Sequence, residues 1–525
     1  MKEKRDWISG FHFDAALKRK KFLFNKFLLS FAGFVFLIQP VGTGQAYAGQ
    51  LWAGIGKEDI TNWNAGPVND PLFVKALVIS DGRKKVAIIT VETVAIGEIG
   101  YISNSYLGNV RARIRKEFSI EPSNVIVSAS HCHGKVCSDI ENRTLKAVKT
   151  ACDNMVPVRI GAGTGYEDRI MVNRRIKLKS GREADVRRAY SLPPDEEVAD
   201  VGPIDPEIGI LRIDRQDGRT LAVLYNFACH PIQGVPSGAN TADIVGFASR
   251  VIEETMGNGT MAIFLQGCAG DINPIFYKDV DRPRNAELLG YMLGMSTVKA
   301  ARKIKCRDDS RLKLINELLA LPRADLSRPI AALEAKRERL VNSLKGTSLN
   351  LKTFLYLMVK YRLSPEYPSY YAHLYLHDKK LGRNDLFKLD EENRRNLSLY
   401  TRNVYIMEEI TRINTNLALL RKHQAQNAAA GKKTIDVELI GLRIGDFVLI
   451  TFPGEPSVQV GLNIKKRSPH ELTFIAGYTN GYIYYAPTAE QLRNVGGAQE
   501  DSDCLLAPEW QKLFEDKAIE ILRRL

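Results

Sequence analysis

The sequence predicts a mixed α/β body interrupted by a mostly helical insertion, and three observations carry that prediction. Alternating apolar segments flank tight Asp-Gly or Gly-Asp turns at three places. Helical periodicity appears between those hairpins. A stretch from about 311 to 433 is rich in Leu, Lys, Arg and Glu and poor in β-branched runs, which reads as helix inserted between strands.

In chain order, the segments KALVIS and KVAIITVE flank Asp81-Gly82 as a hairpin, and Tyr106 to Phe118 has a helical apolar stripe. Asn124 to Ser130 is an apolar strand running into His131-Cys132-His133-Gly134. Ile208 to Ile213 and Leu221 to Phe227 flank Asp217-Gly218, and the second of these continues to His230-Pro231. A strand from Met261 to Leu265 opens into Gln266-Gly-Cys-Ala-Gly-Asp271, and Ala286 to Lys305 is helical. Beyond the insertion, which contains the helical run Ile330 to Leu340, Val437 to Ile444 and Phe447 to Phe452 flank Gly445-Asp446 and lead to Glu455-Pro456. Leu472 to Ala476 runs into a tyrosine-rich loop ending at Tyr485. Pro508 to Leu525 closes the chain as an amphipathic helix, with Leu513, Ala518 and Ile521 expected on its buried face.

A chain of 525 residues that is 45% hydrophobic and 26% charged is globular in composition, which excludes a wholly disordered or fibrous protein. The net charge is +14. Eight Lys and Arg against Glu3, Asp6 and Asp14 lie in the first 48 residues, leaving +9 on the remainder. That excess suits an anionic surface without naming one, and its dispersal argues against nucleic acid. Residues 1–48 read as an export signal: the basic run Lys18 to Lys21, the apolar stretch Phe27 to Ile38, then Ala46-Tyr47-Ala48. The apolar stretch is short for a membrane span, and a retained anchor is the alternative. The expected location is periplasmic or extracellular, with peripheral contact at a membrane surface. Seven cysteines are too few for a disulfide scaffold, and Cys132-x4-Cys137 lacks the second pair of a zinc ribbon. Buried thiols with at most one disulfide are expected.

The chemistry collects at strand ends. His131, His133, His230 and Glu455 each follow an apolar strand, and such ends converge on one face in α/β folds. His-x-His places two imidazoles on one side of an extended segment, so that one can bind a metal while the other meets a substrate or a second metal. His373 and His377 lie four apart but lack the Glu of a His-Glu-x-x-His helix, and they read as a solvated face. His423 and His470 sit among charges and read as surface residues.

These residues resemble the neutral, non-lysosomal ceramidases and their bacterial relatives, zinc-dependent amidases that cleave the N-acyl bond of ceramide. The likeness rests on Ala53 to Thr61, Ser130 to Gly134, Asn173-Arg174, Asn226 to His230, Gln266 to Pro274, Pro453 to Pro456 and Thr479 to Tyr485, in that order. The resemblance implies a layered α-β-β-α catalytic domain of mixed sheets, made of residues 49–310 and 434–525 around the insertion at 311–433. It implies one Zn²⁺ per chain, bound by His131, His230, Glu455 and Tyr485, with Tyr484 as the neighbouring alternative to Tyr485. It also implies catalytic roles for His133 and Arg174, substrate contacts near Asn173, Gly267 and Asp271, and a lipid or amphipathic amide as substrate. A zinc-bound Tyr485 would be at least partly phenolate.

Three departures accompany the likeness. Where ceramidases carry a further Tyr downstream of the Tyr motif, this chain has Gly497 or Ala498. Gly267 stands where they carry a Ser, and the chain stops at Leu525 without their immunoglobulin-like domain. The substrate is therefore expected to be ceramide or a related amide, with a non-sphingolipid amide or ester as the alternative. Two other readings are an amidohydrolase-type (β/α)8 barrel, which begins with His-x-His but repeats βα units, and a non-catalytic binder of anionic surfaces.

Overall fold

The computed structural model describes residues 49–525 except 187–191, 283, 370 and 495, so the expected signal segment at 1–48 lies outside the described residues. The unit that holds them, Ala48–Leu525, begins with β1 (Leu51–Asp59), β2 (Phe73–Ser80), β3 (Lys85–Val91), α1 (Tyr106–Phe118), β4 (Val125–Ala129), α2 (Ile140–Asp153) and β5 (Val156–Tyr166). Next come β6 (Met171–Asn173), β7 (Arg175–Leu178), β8 (Glu183–Asp185), β9 (Val198–Val201), β10 (Glu207–Arg215), β11 (Thr220–Phe227), α3 (Asp243–Met256), β12 (Met261–Gln266), β13 (Ile272–Pro274) and α4 (Glu287–Ala301). The second half holds β14 (Leu312–Pro322), α5 (Ser327–Ser343), α6 (Leu351–Leu363), α7 (Ala372–Lys380) and α8 (Asp385–Ala429). It ends with β15 (Thr434–Ile444), β16 (Phe447–Thr451), β17 (Glu455–Pro456), α9 (Val458–Arg467), β18 (Thr473–Ala476), β19 (Tyr485–Ala486), α10 (Gln499–Ser502) and α11 (Trp510–Arg524).

The three expected hairpins are β2–β3, β10–β11 and β15–β16, each antiparallel. The larger sheet has the order β12-β11-β10-β5-β1-β2-β3-β4, with parallel pairs at its two ends, β11 with β12 and β3 with β4. Its antiparallel middle differs from the all-parallel repeat of a (β/α)8 barrel. The smaller sheet has the order β14-β15-β16-β18. Period-two alternation lets each strand serve two cores. Leu77 and Ile79 of β2 and Ile88 of β3 meet Leu442, Leu449 and Phe474 of the smaller sheet, while Val74, Ala76 and Ile89 face α1 and α2. α3 and α4 cover the β10–β12 end, and α9 and α11 cover the outer face of the smaller sheet. The layers are therefore helix, sheet, sheet, helix, as the resemblance implies.

The insertion begins later than 311. Leu312–Pro322 is a strand, β14, paired along its whole length with β15, and helix runs from α5 to α8. α5 and α8 form an antiparallel pair around Leu333, Ile413, Leu417 and Leu420. In α11 the buried face is Trp510, Phe514, Ala518, Ile521 and Leu522, whereas Leu513 is 43% exposed. The aromatic residues Trp510 and Phe514 pack on Phe452 and set the helix rotation. All seven cysteines are free, four of them buried.

Candidate metal centre

His131 and His230 come from opposite ends of the larger sheet, since β4 is one edge strand and β11 lies next to the other edge strand, β12. The sheet curls until those edges meet. β12 and β4 come into contact, and the Thr90 hydroxyl of β3 donates 2.7 Å to the Phe264 carbonyl of β12. Glu455 arrives from the smaller sheet, in the turn after β16, and the pairing of β17 with β19 sets it beside Tyr485. The tyrosine-rich loop is stitched onto β4: the Asn480 side chain accepts from Val127 N (2.8 Å), and Ala129 N donates to Tyr478 O (3.0 Å). His131 holds a left-handed backbone at φ 66°, a conformation that a non-glycine residue keeps only when its surroundings impose it.

One ligand-type atom from each of His131, His230 and Glu455 lies within 4.8 Å of the others, and all three residues are buried. Nδ1 of His131 faces the Val94 carbonyl at 2.6 Å, and Nδ1 of His230 faces the Ile272 carbonyl at 3.1 Å. A proton on each Nδ1 leaves both Nε2 lone pairs directed at the Glu455 carboxylate, 3.4 Å and 3.1 Å from Oε2. Burial, and then the Arg174 charge, push His230 down to about 3, so its imidazole is neutral and available as a donor. Burial acts to raise Glu455, but the neighbouring imidazoles hold it well below the usual carboxylate range. Two imidazole nitrogens and a carboxylate oxygen fit a divalent borderline metal such as zinc.

Two phenols that the sequence reading did not single out support this carboxylate. Tyr478 donates to Glu455 Oε2 at 3.3 Å and Tyr482 to Oε1. Burial and the Glu455 charge push both phenols up, so they serve as neutral donors. The signal available was density: Tyr478, Tyr482, Tyr484 and Tyr485 fall within one short loop. A left-handed backbone at Tyr484, φ 65°, separates the last two. The Tyr485 ring lies 6.4 Å from that of His230, whereas Tyr484 donates 3.0 Å to Glu98 and packs on His423.

Arg174 is buried, ion-pairs with Glu500 at 2.6 Å, donates to Asn273 Oδ1 at 3.0 Å and lies 5.5 Å from the Tyr485 ring. His133 is exposed, its ring 5.4 Å from that of His131. The three expected substrate contacts sit in the framework. Asn173 donates to Pro203 O (2.8 Å) and to Asp271 (3.2 Å), and Asp271 accepts from Val458 N at the start of α9. A Cβ on Gly267 would stand 3.0 Å from the Ala228 backbone, and one on Gly497 would stand 2.4 Å from Glu183 O. A side chain at Gly497 would run into the Glu183 backbone, whereas one at Gly267 would crowd Ala228.

Two histidines depart from expectation. His423 is buried, with Nε2 2.6 Å from Asp503 and Nδ1 2.8 Å from Gln426, because α8 docks on the loop behind Tyr485. His470 is half-buried and donates to the Leu522 carbonyl at 2.8 Å. His373 and His377 are exposed on α7, as expected. A cavity of about 720 Å³ lies elsewhere, between α8, α5, the β7–β8 hairpin and Gly496–Gly497. None of His131, His230 and Glu455 lines it, and its wall includes the ion pair of Lys336 with Glu409.

No family model matches the sequence. Two solved structures resemble the chain. One is the neutral ceramidase of Pseudomonas aeruginosa, with a TM-score of 0.55 at 14% identity over 91% of this chain and 75% of that one. The other is a ceramidase complexed with C2, with a TM-score of 0.56 at 15% identity over 91% of this chain and 76% of that one. At such identities the likeness is one of architecture, and the chain has the neutral-ceramidase fold, with His131, His230 and Glu455 gathered at its strand ends.

Proposed function

We propose that this chain is an exported zinc-dependent hydrolase that cleaves the N-acyl amide bond of ceramide or a ceramide-like lipid. The observation that carries the reading is the buried trio with both Nε2 atoms turned to the Glu455 carboxylate, on the fold of the ceramidases. His131, His230 and Glu455 would hold the metal with Tyr485 beside them. Bound zinc supplies Lewis acidity toward an amide carbonyl and brings the pKa of a bound water toward about 7.

The chain's own residues supply the remainder. The Nδ1 bonds fix both imidazoles, burial keeps that of His230 neutral, and the Tyr478 and Tyr482 hydroxyls hold the Glu455 carboxylate in one orientation. Glu500 and Asn273 fix the Arg174 guanidinium on the Tyr485 side, where a preorganised charge stabilises an oxyanion as it develops. His133, exposed beside His131, is placed to hand a proton to the leaving amine and to recover one from solvent. With Gly497 or Ala498 where the ceramidases carry a further Tyr, the oxyanion would rest on the metal and Arg174.

The test combines metal analysis with fatty-acid release from a short-chain, soluble N-acyl sphingosine. The expected result is one zinc per chain with amide cleavage, both lost in His131→Ala with His230→Ala. Full zinc in that double variant overturns the site. Zinc without amide cleavage overturns the substrate class.

A further inference from the structure

α6 reads Leu-Lys-Thr-Phe-Leu-Tyr-Leu-Met-Val-Lys-Tyr-Arg-Leu and carries large apolar side chains on its outer as well as its inner face. Such a helix belongs in a protein core or in lipid, yet α6 lies at the outside of the insertion. Its inner face is narrow. Leu357 and Tyr361 are buried, Phe354 stacks on Tyr400 at 4.4 Å, and Tyr361 donates 2.8 Å to Asp390 of α8. The opposite face carries Leu351, Leu355, Tyr356, Met358, Val359 and Leu363, which are 48% to 80% exposed. Six large apolar side chains on one helix face form a patch of the kind that marks an interaction surface.

Charge identifies the partner. Between Glu338 and Glu366 the chain has no acidic residue, while Arg339, Lys345, Lys352, Lys360 and Arg362 are all cationic. Lys352 and Arg362 are exposed among the apolar side chains of α6 itself. A second copy of the chain would oppose the same cations across the contact. A polysaccharide would find anion sites but leave the leucines wet. An anionic lipid surface satisfies both features, because the headgroups meet the cations while the apolar side chains enter the acyl boundary.

We infer that α6 is a membrane-docking helix that lays its exposed face into anionic lipid. This goes beyond the hydrolase reading and does not depend on it. α6 reaches α8 near Tyr400, and α8 reaches the loop behind Tyr485 at His423. Those two points are 23 residues apart along α8, about 35 Å of helix. Docking would therefore tether the enzyme to a bilayer without using any residue of the metal centre.

Flotation of Ala48–Leu525, a compact unit of the chain, tests the inference with two kinds of vesicle: phosphatidylcholine alone, and phosphatidylcholine mixed with phosphatidylglycerol. The unit is expected to bind the anionic vesicles more tightly, and the binding to weaken as salt rises. Leu355→Glu with Val359→Glu should weaken it at least about 10-fold. Lys352→Glu with Lys360→Glu should remove the preference for anionic vesicles. Zinc content and cleavage of the soluble short-chain amide should stay unchanged in both variants, which separates this result from the hydrolase reading. Undiminished vesicle binding by Leu355→Glu with Val359→Glu overturns the inference. So does a chain that binds neither vesicle and elutes as a dimer that this variant splits, which would assign the face to a second copy.

Discussion

Glu455 is the residue on which the centre turns, because it enters from a different sheet than the two histidines and is the one carboxylate among the three. Its carboxylate accepts from two phenols, and in a buried site a hydrogen bond to a charged group is worth about 1.5–3 kcal/mol. Tyr482→Phe removes the donor to Oε1 while leaving the ring packed. The carboxylate then loses its orientation, and zinc affinity should fall roughly 10- to 100-fold. Tyr478→Phe should cost less, since its bond is 3.3 Å long. Competition against a chelator of known zinc affinity measures both, and circular dichroism reports whether the fold is kept. If Tyr482→Phe binds zinc as the parent does, the phenols fill space beside the centre and do not orient it.

Between β1 and α2 the packing is backbone on backbone. A Cβ on Gly56 would stand 2.0 Å from the Ala147 carbonyl oxygen, and one on Gly54 would stand 1.9 Å from that of Ala151. No side chain can move aside there, so Gly56→Ala must lift α2 from the sheet and loosen Val148 from its neighbours, costing about 1–3 kcal/mol. Gly108→Ala is the counterpart. The space around Gly108 in α1 is open, and replacing a helical glycine should stabilise by about 0.5–1 kcal/mol. Urea unfolding of the two variants should move in opposite directions, and a neutral Gly56→Ala would mean that α2 does not pack backbone to backbone on β1. The same contrast between local and distant causes explains what the sequence discloses. Hairpin turns and α1 are legible because turn chemistry and periodicity are local. The ligand strand ends are legible because a polar residue after an apolar run stands out. β14 is hidden, since its Leu, Lys and Glu content resembles helix and its partner strand lies across the insertion, with Leu312 opposite Ile444. The burial of His423 depends on where α8 docks, and the meeting of His131 with His230 depends on a sheet curl that no single segment encodes.

At the scale of the whole molecule, α8 divides the insertion into a part that braces the body and a part that projects from it. At 45 residues it is about 68 Å long. Its C-terminal half packs on α5 through Leu333, Ile413, Leu417 and Leu420, and reaches the Tyr485 loop through His423 and Asp503. Its N-terminal part carries α6 and α7, tied to it at Asp390 by Tyr361 and Tyr375. The two parts are separable where α5 ends, because Lys345 and Asn403 already touch: Asn403 Nδ2 donates to Lys345 O at 2.6 Å, and Lys345 N donates to Asn403 Oδ1 at 3.3 Å. Replacing residues 347–401 by a short turn at that point removes α6 together with the surfaces that it covers, so few apolar groups of the body are uncovered. The shortened chain is expected to keep zinc affinity and the activity on a soluble amide, with stability within about 2 kcal/mol of the parent, and to lose vesicle binding. Zinc titration, urea unfolding and flotation measure the three quantities. A shortened chain that folds but no longer binds zinc would show that the projecting part holds the site in shape, whereas one that still floats with anionic vesicles would move the docking surface back onto the body.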